Sequence, residues 1–196
     1  MTPKELEMIL KGKIVTLRPI EEEDLEFVRT LFNDPELESL IVGWSWPVSR
    51  YQHRKWFENV TADADSIRYI IETKEDGPVG TSGWRKIDWK NRIAISIGIR
   101  IINKQLRAKG IGVDTCMAMF KYIFDDLQLN RTDADVIEYN KPSIKLLERL
   151  GYKLEGVRRN YIYKGGKYND LLLYGLLKEE YYEAVKRLKY WEYEDK

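Results

Sequence analysis

Cysteine and histidine are nearly missing from this sequence: Cys116 and His53 are the single representatives of their kinds among 196 residues. One cysteine excludes a disulfide within the chain, and one of each leaves too few ligands for a zinc site of the usual kind, so no metal is expected. A catalytic Cys–His pair stays arithmetically open. Cys116 falls inside a helical stretch, however, where a small buried thiol is the simpler role. His53 stands in the charged run "SRYQHRKWFEN", which suggests a solvated helix face. An excess of either charge is lacking too: 33 Lys and Arg face 32 Asp and Glu, which makes no electrostatic case for nucleic acid or an anionic membrane. No apolar run approaches the roughly 20 residues of a membrane span, and "MTPKELEMILKGK" has no signal-like apolar core. Nucleic acid and membrane are therefore not expected as partners, and a reducing, cytoplasmic location is. Repeats, low-complexity tracts and Pro/Gly/Ser linkers are absent as well, so the chain reads as one domain.

What is present alternates between strand and helix signals. "KIVTLRPI" (13–20) reads as a strand, and "EEEDLEFVRTLFNDP" as a helix with acids in its first turn and Pro35 as its stop. A second helix follows Pro47, capped by Ser49. "SIRYIIETK", the turn "EDGP" and "VGTSGWRKIDW" form a hairpin. "IAISIGIRI" follows as a strand with Ile93, Ile95, Ile97, Ile99 and Ile101 on one face and Ala94, Ser96, Gly98 and Arg100 on the other. Small residues there admit a ligand or a packed helix. "KGIGVDTCMAMFKYIFDDL" then sets Val113, Met117, Phe120, Phe124 and Leu127 along a helical core stripe. A strand "RTDADVIE", a helix "PSIKLLERL" stopped by Gly151, and a hairpin about "KGGK" close the domain. The tail offers Tyr181, Val185 and Leu188 on a helical face, to cap the core or contact another subunit. The order predicts an α/β (α+β) fold with a mixed, mostly antiparallel sheet flanked by helices. Its expected parts are an N-terminal extension (1–12), the domain (13–178) and a C-terminal helical tail (179–196).

The segment "LRAKGIG" (106–112) carries the clearest chemical signal. A strand running into glycines and then a helix aims unpaired backbone N–H groups at one point, a geometry suited to phosphate. Gly110 and Gly112 remove Cβ atoms from that approach, while Arg107 and Lys109 add charge. No Gly-Lys-Ser/Thr follows, which excludes a Walker loop. Thr115 stands where a dinucleotide loop has its third glycine, and repeated βαβ units do not precede it. A plain turn without a ligand remains compatible with the loop taken alone.

Arg107-Ala108-Lys109-Gly110-Ile111-Gly112 resembles the R-x-x-G-x-G/A loop of the Gcn5-related N-acetyltransferases (GNAT), and 28 residues later "NKPSIKLLERLGY" resembles that family's N-x-x-S/A…L-G-F/Y segment. "WPVSRYQHRKWFE" and "GGKYNDLLLYGLL" are similar to the branch that includes ribosomal-protein N-terminal acetyltransferases, a branch that also acts on polyamines, amino sugars and antibiotics. The resemblance implies a single GNAT-like domain using acetyl-CoA as co-substrate, with direct attack of a primary amine on the thioester. The acceptor would be a protein N-terminus, a polyamine or an amino sugar, hence a small-molecule or peptide amine. A noncatalytic acyl-CoA-binding or regulatory domain is the alternative, and the oligomeric state is monomer or homodimer. By the same resemblance Ile99, Arg100 and Ile101 bind the pantetheine arm through their backbone. Residues 107–113, including Ile111 and Val113, hold the pyrophosphate, and Asn140 and Ser143 lie along the pantetheine.

The resemblance breaks at the catalytic positions. The family's thiolate-protonating Tyr is Leu147 here, its Glu base is Ser96, and the base proposed for the ribosomal branch falls at Ile162. Ser143 is the residue that the branch would use as acid, through water because a hydroxyl is a poor acid. Asn140 is also a natural helix cap. Tyr168 and Asp170 are candidates for the acceptor pocket. Trp44, Trp46 and Trp84 are candidates for its walls or for a dimer contact, with core packing the default role for Trp84.

Overall fold

In the computed structural model, residues 9–43, 47–96, 98–107 and 109–192 are described, with only the backbone given at Arg107. Strands β1 (Leu10–Lys11) and β2 (Val15–Pro19) lead through a short 3-10 turn into helices α1 (Leu25–Phe32), α2 (Pro35–Leu40) and α3 (Arg50–Ala62). Strands β3 (Ile67–Thr73), β4 (Gly77–Asp88), β5 (Ile93–Ser96) and β6 (Arg100–Ile101) follow, then helices α4 (Lys104–Arg107) and α5 (Ile111–Lys121). Strand β7 (Arg131–Ile137), helix α6 (Lys141–Leu150), the hairpin β8 (Lys153–Lys164) and β9 (Lys167–Leu177), and helix α7 (Lys178–Leu188) complete the chain. One sheet runs in the order β1-β2-β3-β4-β5-β7-β9-β8, with β6 paired to β4. Every pairing is antiparallel except β5 with β7. A parallel pair needs a long crossover, and here α5 supplies it.

Alternation along the strands splits the core between the two faces of this sheet. One face carries Leu17, Ile71, Trp84, Ala94, Ala134 and Val136 against Met117, Phe120 and Phe124 of the α5 segment and Tyr181 and Val185 of α7. The other face carries Ile70 against Ile20 and Val28, with Phe32, Trp56 and Phe57 of α1 and α3 packed on it. The expected stripe on α5 is present, and Ile111, Ala118, Met119 and Ile123 are buried beside it, so the helix is enclosed on more than one side.

Three local expectations change. Pro35 does not merely stop the first helix: it starts α2, with the Asp34 carboxylate accepting from the Glu36 and Leu37 N–H groups. The "IAISIGIRI" strand is not continuous. Gly98 adopts φ +77° and ends the pleat after Ser96, so Ala94 is the fully buried residue of β5 whereas Ile93 and Ile95 are only partly covered. His53 is not on a solvated face. It is 2% exposed, with its ring 4.8 Å from and stacked on Trp56 and 5.5 Å from Phe32. Of the two roles expected of the tail helix, the structure shows core capping: it packs into the main core, where the Tyr181 ring lies 5.1 Å from Phe124.

Candidate functional site

The break in the Ile-rich strand opens the sheet. β5 and β7 pair over Ile93–Arg131, Ala94–Thr132 and Ile95–Asp133, and no further. Beyond that point β7 continues to Ile137 on β9 alone, while the other chain turns at Gly98 and rejoins β4 as β6, through Gly80–Ile101 and Thr81–Arg100. The turn is fastened at both ends: the Ser96 hydroxyl accepts from the Gly98 N–H (3.0 Å), and the Ser82 hydroxyl donates to the Gly98 carbonyl (3.1 Å). Two strands that start parallel and paired thus diverge, leaving a wedge between β6 and β7.

Helix α5 begins beside this wedge. Gly110 holds the left-handed N-cap position, φ +83°, which an L side chain would strain. No side chain caps the helix among the described residues, so the N–H groups of its first turn lack an intrahelical partner and face outward. A Cβ at Gly112 would lie 3.4 Å from Leu146 of α6 and 4.0 Å from Ile99. The loop glycine, α6 and the segment entering β6 therefore converge. Ile111 is buried, so its contribution to a ligand is limited to its backbone, and Val113 packs on the same core. Lys109 is exposed, its Nζ 3.8 Å from Asp76. Arg107 ends α4, and Ala108 lies outside the described residues. An uncapped helix start with a bare glycine at its mouth fits a bound pyrophosphate.

Across the wedge, Asn140 caps α6. Its Oδ1 accepts from the Ser143 N–H (3.2 Å), and its Nδ2 donates to the Leu40 carbonyl of α2 (2.9 Å). Both ends of the amide are engaged, so Asn140 ties α6 to α2. Ser143 sits in the first turn, partly exposed, and its hydroxyl has no partner among the described residues. Leu147 is buried in the main core and Ile162 in a small cluster with Ile137 and Leu171, so neither offers a proton-transfer group.

The other predicted residues scatter. Trp84 is fully buried with its ring 6.3 Å from Phe120: it packs the core and walls no open pocket. Trp44 and Trp46 lie outside the described residues. Tyr168 is exposed on the closing hairpin against Tyr163, 5.1 Å between rings. Asp170 accepts from the Asn160 N–H (2.8 Å) and so holds the irregular turn of β8, where Asn160 has φ +51°. Cys116 belongs to the main core, where burial pushes its thiol up to about 12. His53 lies on the opposite sheet face, so the two form no pair.

In the sequence, Asp133 and Asp135 of "RTDADVI" bear only on the dinucleotide alternative, as possible ribose-binding acids, and not on an acyl-transfer site. In β7 Thr132 and Ala134 face the core, which sends Asp133 and Asp135 to the other face. There they line a groove of about 310 Å³ with Arg85, Ile95, Arg158 and Tyr161. Asp133 opposes Ile95, the last residue of the parallel ladder, so Asp135 stands one step into the wedge, with Arg85 at 3.5 Å. The alternation Asp-Ala-Asp was the available signal. Among the described residues no cluster of three or more His, Cys, Asp or Glu could hold a metal, and no helix is long and apolar enough to cross a membrane.

Comparison with known proteins places this geometry. A family model for an acetyltransferase (GNAT) domain matches residues 15–153. The N-acetyltransferase p20 of Bacillus licheniformis is 32% identical over 181 residues, covering 85% of this chain and 94% of that protein. YdaF of Bacillus subtilis, provisionally named a ribosomal N-acetyltransferase, is 35% identical over 102 residues, 52% of this chain and 55% of that protein. The fold is shared with spermidine N-acetyltransferase from Vibrio cholerae, solved with CoA and spermine, at a TM-score of 0.80 and 23% identity over 87% of this chain and 99% of that one.

Proposed function

This chain belongs to the GNAT family of acetyltransferases, and from that premise we propose that it moves the acetyl group of acetyl-CoA to a primary amine that attacks the thioester directly. The observation that carries the reading is the wedge between β6 and β7 with the uncapped start of α5 beside it. In this reading the backbone N–H groups of residues 110–113 and the cations Arg107 and Lys109 hold the pyrophosphate. The backbone from Ile99 to Ile101 follows the pantetheine and polarises the thioester carbonyl. Asn140 acts as a positioning residue that holds α6 at the wedge.

An attacking amine must be neutral, yet a lysine-like amine has a pKa of about 10 and a peptide α-amine about 8. The site must therefore take up a proton on the acceptor side and return one to the leaving thiolate. Asp135, in the groove one step into the wedge, is the carboxylate nearest to the first task, through water. Ser143, whose hydroxyl has no partner among the described residues, serves the second through water. Protein N-termini, polyamines and amino sugars are the acceptor classes that family membership makes available.

The absent Tyr and Glu favour one rival, a domain that binds acyl-CoA without turnover. Thiol release from acetyl-CoA across a panel of amines separates the two: release with at least one amine is expected, and CoA binding with no release from any would establish the rival. Gly112→Val narrows the approach between Leu146 and Ile99, and is expected to weaken acetyl-CoA binding at least tenfold by calorimetry with the circular dichroism unchanged. Undiminished binding would remove the loop from the site.

A further inference from the structure

Between α1, α3 and the sheet lies a second cavity, of about 140 Å³, lined by Ile20, Phe32, Trp56, Arg68, Thr81 and Arg100, with Val28 behind them. Its composition is unusual for the interior of a hydrophobic layer. Two arginines enter it from β3 and β6, the strands on either side of β4, and among the described residues no carboxylate lies within ion-pair distance of either guanidinium. Arg68 has only a long contact to the Trp84 carbonyl (3.4 Å), and the Arg100 Nε is buried without a hydrogen-bond partner. The Arg100 guanidinium lies 5.0 Å over the Phe32 ring.

The strand register explains how they meet. Arg100 of β6 pairs with Thr81 of β4, and Arg68 of β3 pairs with Gly83, two residues along on the same face. Position 83 has no side chain, so nothing on β4 separates the two cations except Thr81. Burial, and then the charge of Arg100, pulls the Arg68 guanidinium down to about 10; burial lowers Arg100 as well. Asp63 is the one acid that acts on Arg68 favourably, from beyond ion-pair range, and Arg85 adds a further repulsion. Two partly buried like charges without a counter-charge among the described residues are costly, and an anion that joins them offsets that cost. The planar fork of Arg suits a carboxylate. Apart from Thr81, the remaining walls are apolar and aromatic.

We propose that this cavity is an anion subsite of the acceptor, taking the carboxylate of a small amino-acid-like amine whose apolar body rests on Phe32 and Trp56. The assignment rests on the acetyl-transfer reading, because Arg100 stands in the stretch assigned to the pantetheine and projects to the opposite side of it. A polycation such as spermine would meet two positive charges here, so polyamines are poor acceptors.

The test pairs acids with their amides. L-leucine and L-phenylalanine are compared with leucinamide and phenylalaninamide, and with spermidine, by thiol release. The acid is expected to exceed its amide at least tenfold in kcat/KM, and Arg68→Met and Arg100→Met should each lower that ratio tenfold or more, with Arg68→Lys and Arg100→Lys retaining part of it. Equal use of acid and amide, or a preference for spermidine, would overturn the proposal. A second arm needs no turnover: phenylacetate is titrated into the protein by calorimetry, with phenylacetamide and inorganic phosphate as controls. Phenylacetate binding that weakens tenfold in the methionine variants supports the subsite; no binding, or tighter binding of phosphate, overturns it. Phenylacetate binding with no thiol release from any amine would leave the anion assignment standing and overturn the acetyl-transfer reading.

Discussion

At the scale of single residues, position in the sheet decides chemistry that residue type leaves open. His53 has the side chain most suited to a proton switch near neutrality, yet burial, reinforced by Arg29, holds its pKa below the ordinary 6.5. The unfolded chain therefore takes up a proton that the folded chain refuses. Stability conferred by the neutral ring is complete above about pH 6.5 and falls as pH drops from there toward the folded value. Thermal unfolding followed from pH 7.5 to 5 should show this loss, and His53→Phe, which keeps the stack on Trp56, should flatten it; an identical slope would assign the dependence to carboxylates. Ser143 presents the reverse case, an ordinary residue beside the wedge whose hydroxyl has no partner among the described residues. Ser143→Ala should lower kcat tenfold or more with the acetyl-CoA affinity within twofold of wild type, and an unchanged kcat would leave it only as the capped residue of α6.

At the scale of elements, α5 does two jobs from one turn. Its first N–H groups face the wedge, while Asp114 in the same turn reaches back to the start of the sheet. That carboxylate accepts from the Lys13 (2.8 Å), Ile14 (2.7 Å) and Val15 (2.8 Å) N–H groups and from the Tyr190 hydroxyl. It thereby ties β2 and the C-terminal segment to the helix whose start is proposed to hold the pyrophosphate. Removing it strands three backbone donors, at about 1–3 kcal/mol for each one left buried. Asp114→Ala is therefore expected to destabilise the fold by about 3 kcal/mol in urea unfolding. It should also weaken acetyl-CoA binding, since the loop loses its anchor. A change below about 0.5 kcal/mol would mean that water replaces the carboxylate.

At the scale of the whole molecule, the sheet separates two tasks. One face holds the larger core, closed by α5 and α7; the other holds the smaller core, the two-arginine cavity and the groove lined by Asp133 and Asp135 with Arg85 and Arg158. The tail helix belongs to the first. Tyr181, Ala184 and Val185 are buried in it, and Ala184 packs against the Gly151 turn that ends α6. Burial of such side chains contributes about 1.5–3 kcal/mol each. Ending the chain after Leu177 should lower Tm by roughly 10–20 °C, or leave the protein insoluble. A Tm within about 3 °C of the full chain would show the helix to be dispensable.

The helices and strands were largely legible in the order of residues, because periodicity and caps are local: Ser49, Gly151 and the "KGGK" turn act within a few residues. The segment proposed to hold the pyrophosphate stood out as a candidate too, since its glycines, cations and following helix are contiguous. The resemblance that "NKPS" carried 28 residues later pointed to the donor. What chain order could not determine was everything set by pairing between distant strands. The break at Gly98 turned an apparently regular isoleucine strand into the edge of a wedge. Trp84 went to the core, and His53 left solvent for an aromatic stack. Asp135 came to the wedge because β7 pairs with β5 for three residues and then parts from it. Arg68 and Arg100, 32 residues apart in sequence, met because each pairs with β4 on the same face, one register step from the other. Local propensity decides what an element is; register and burial decide which side chains share a space and which charges are left without a partner.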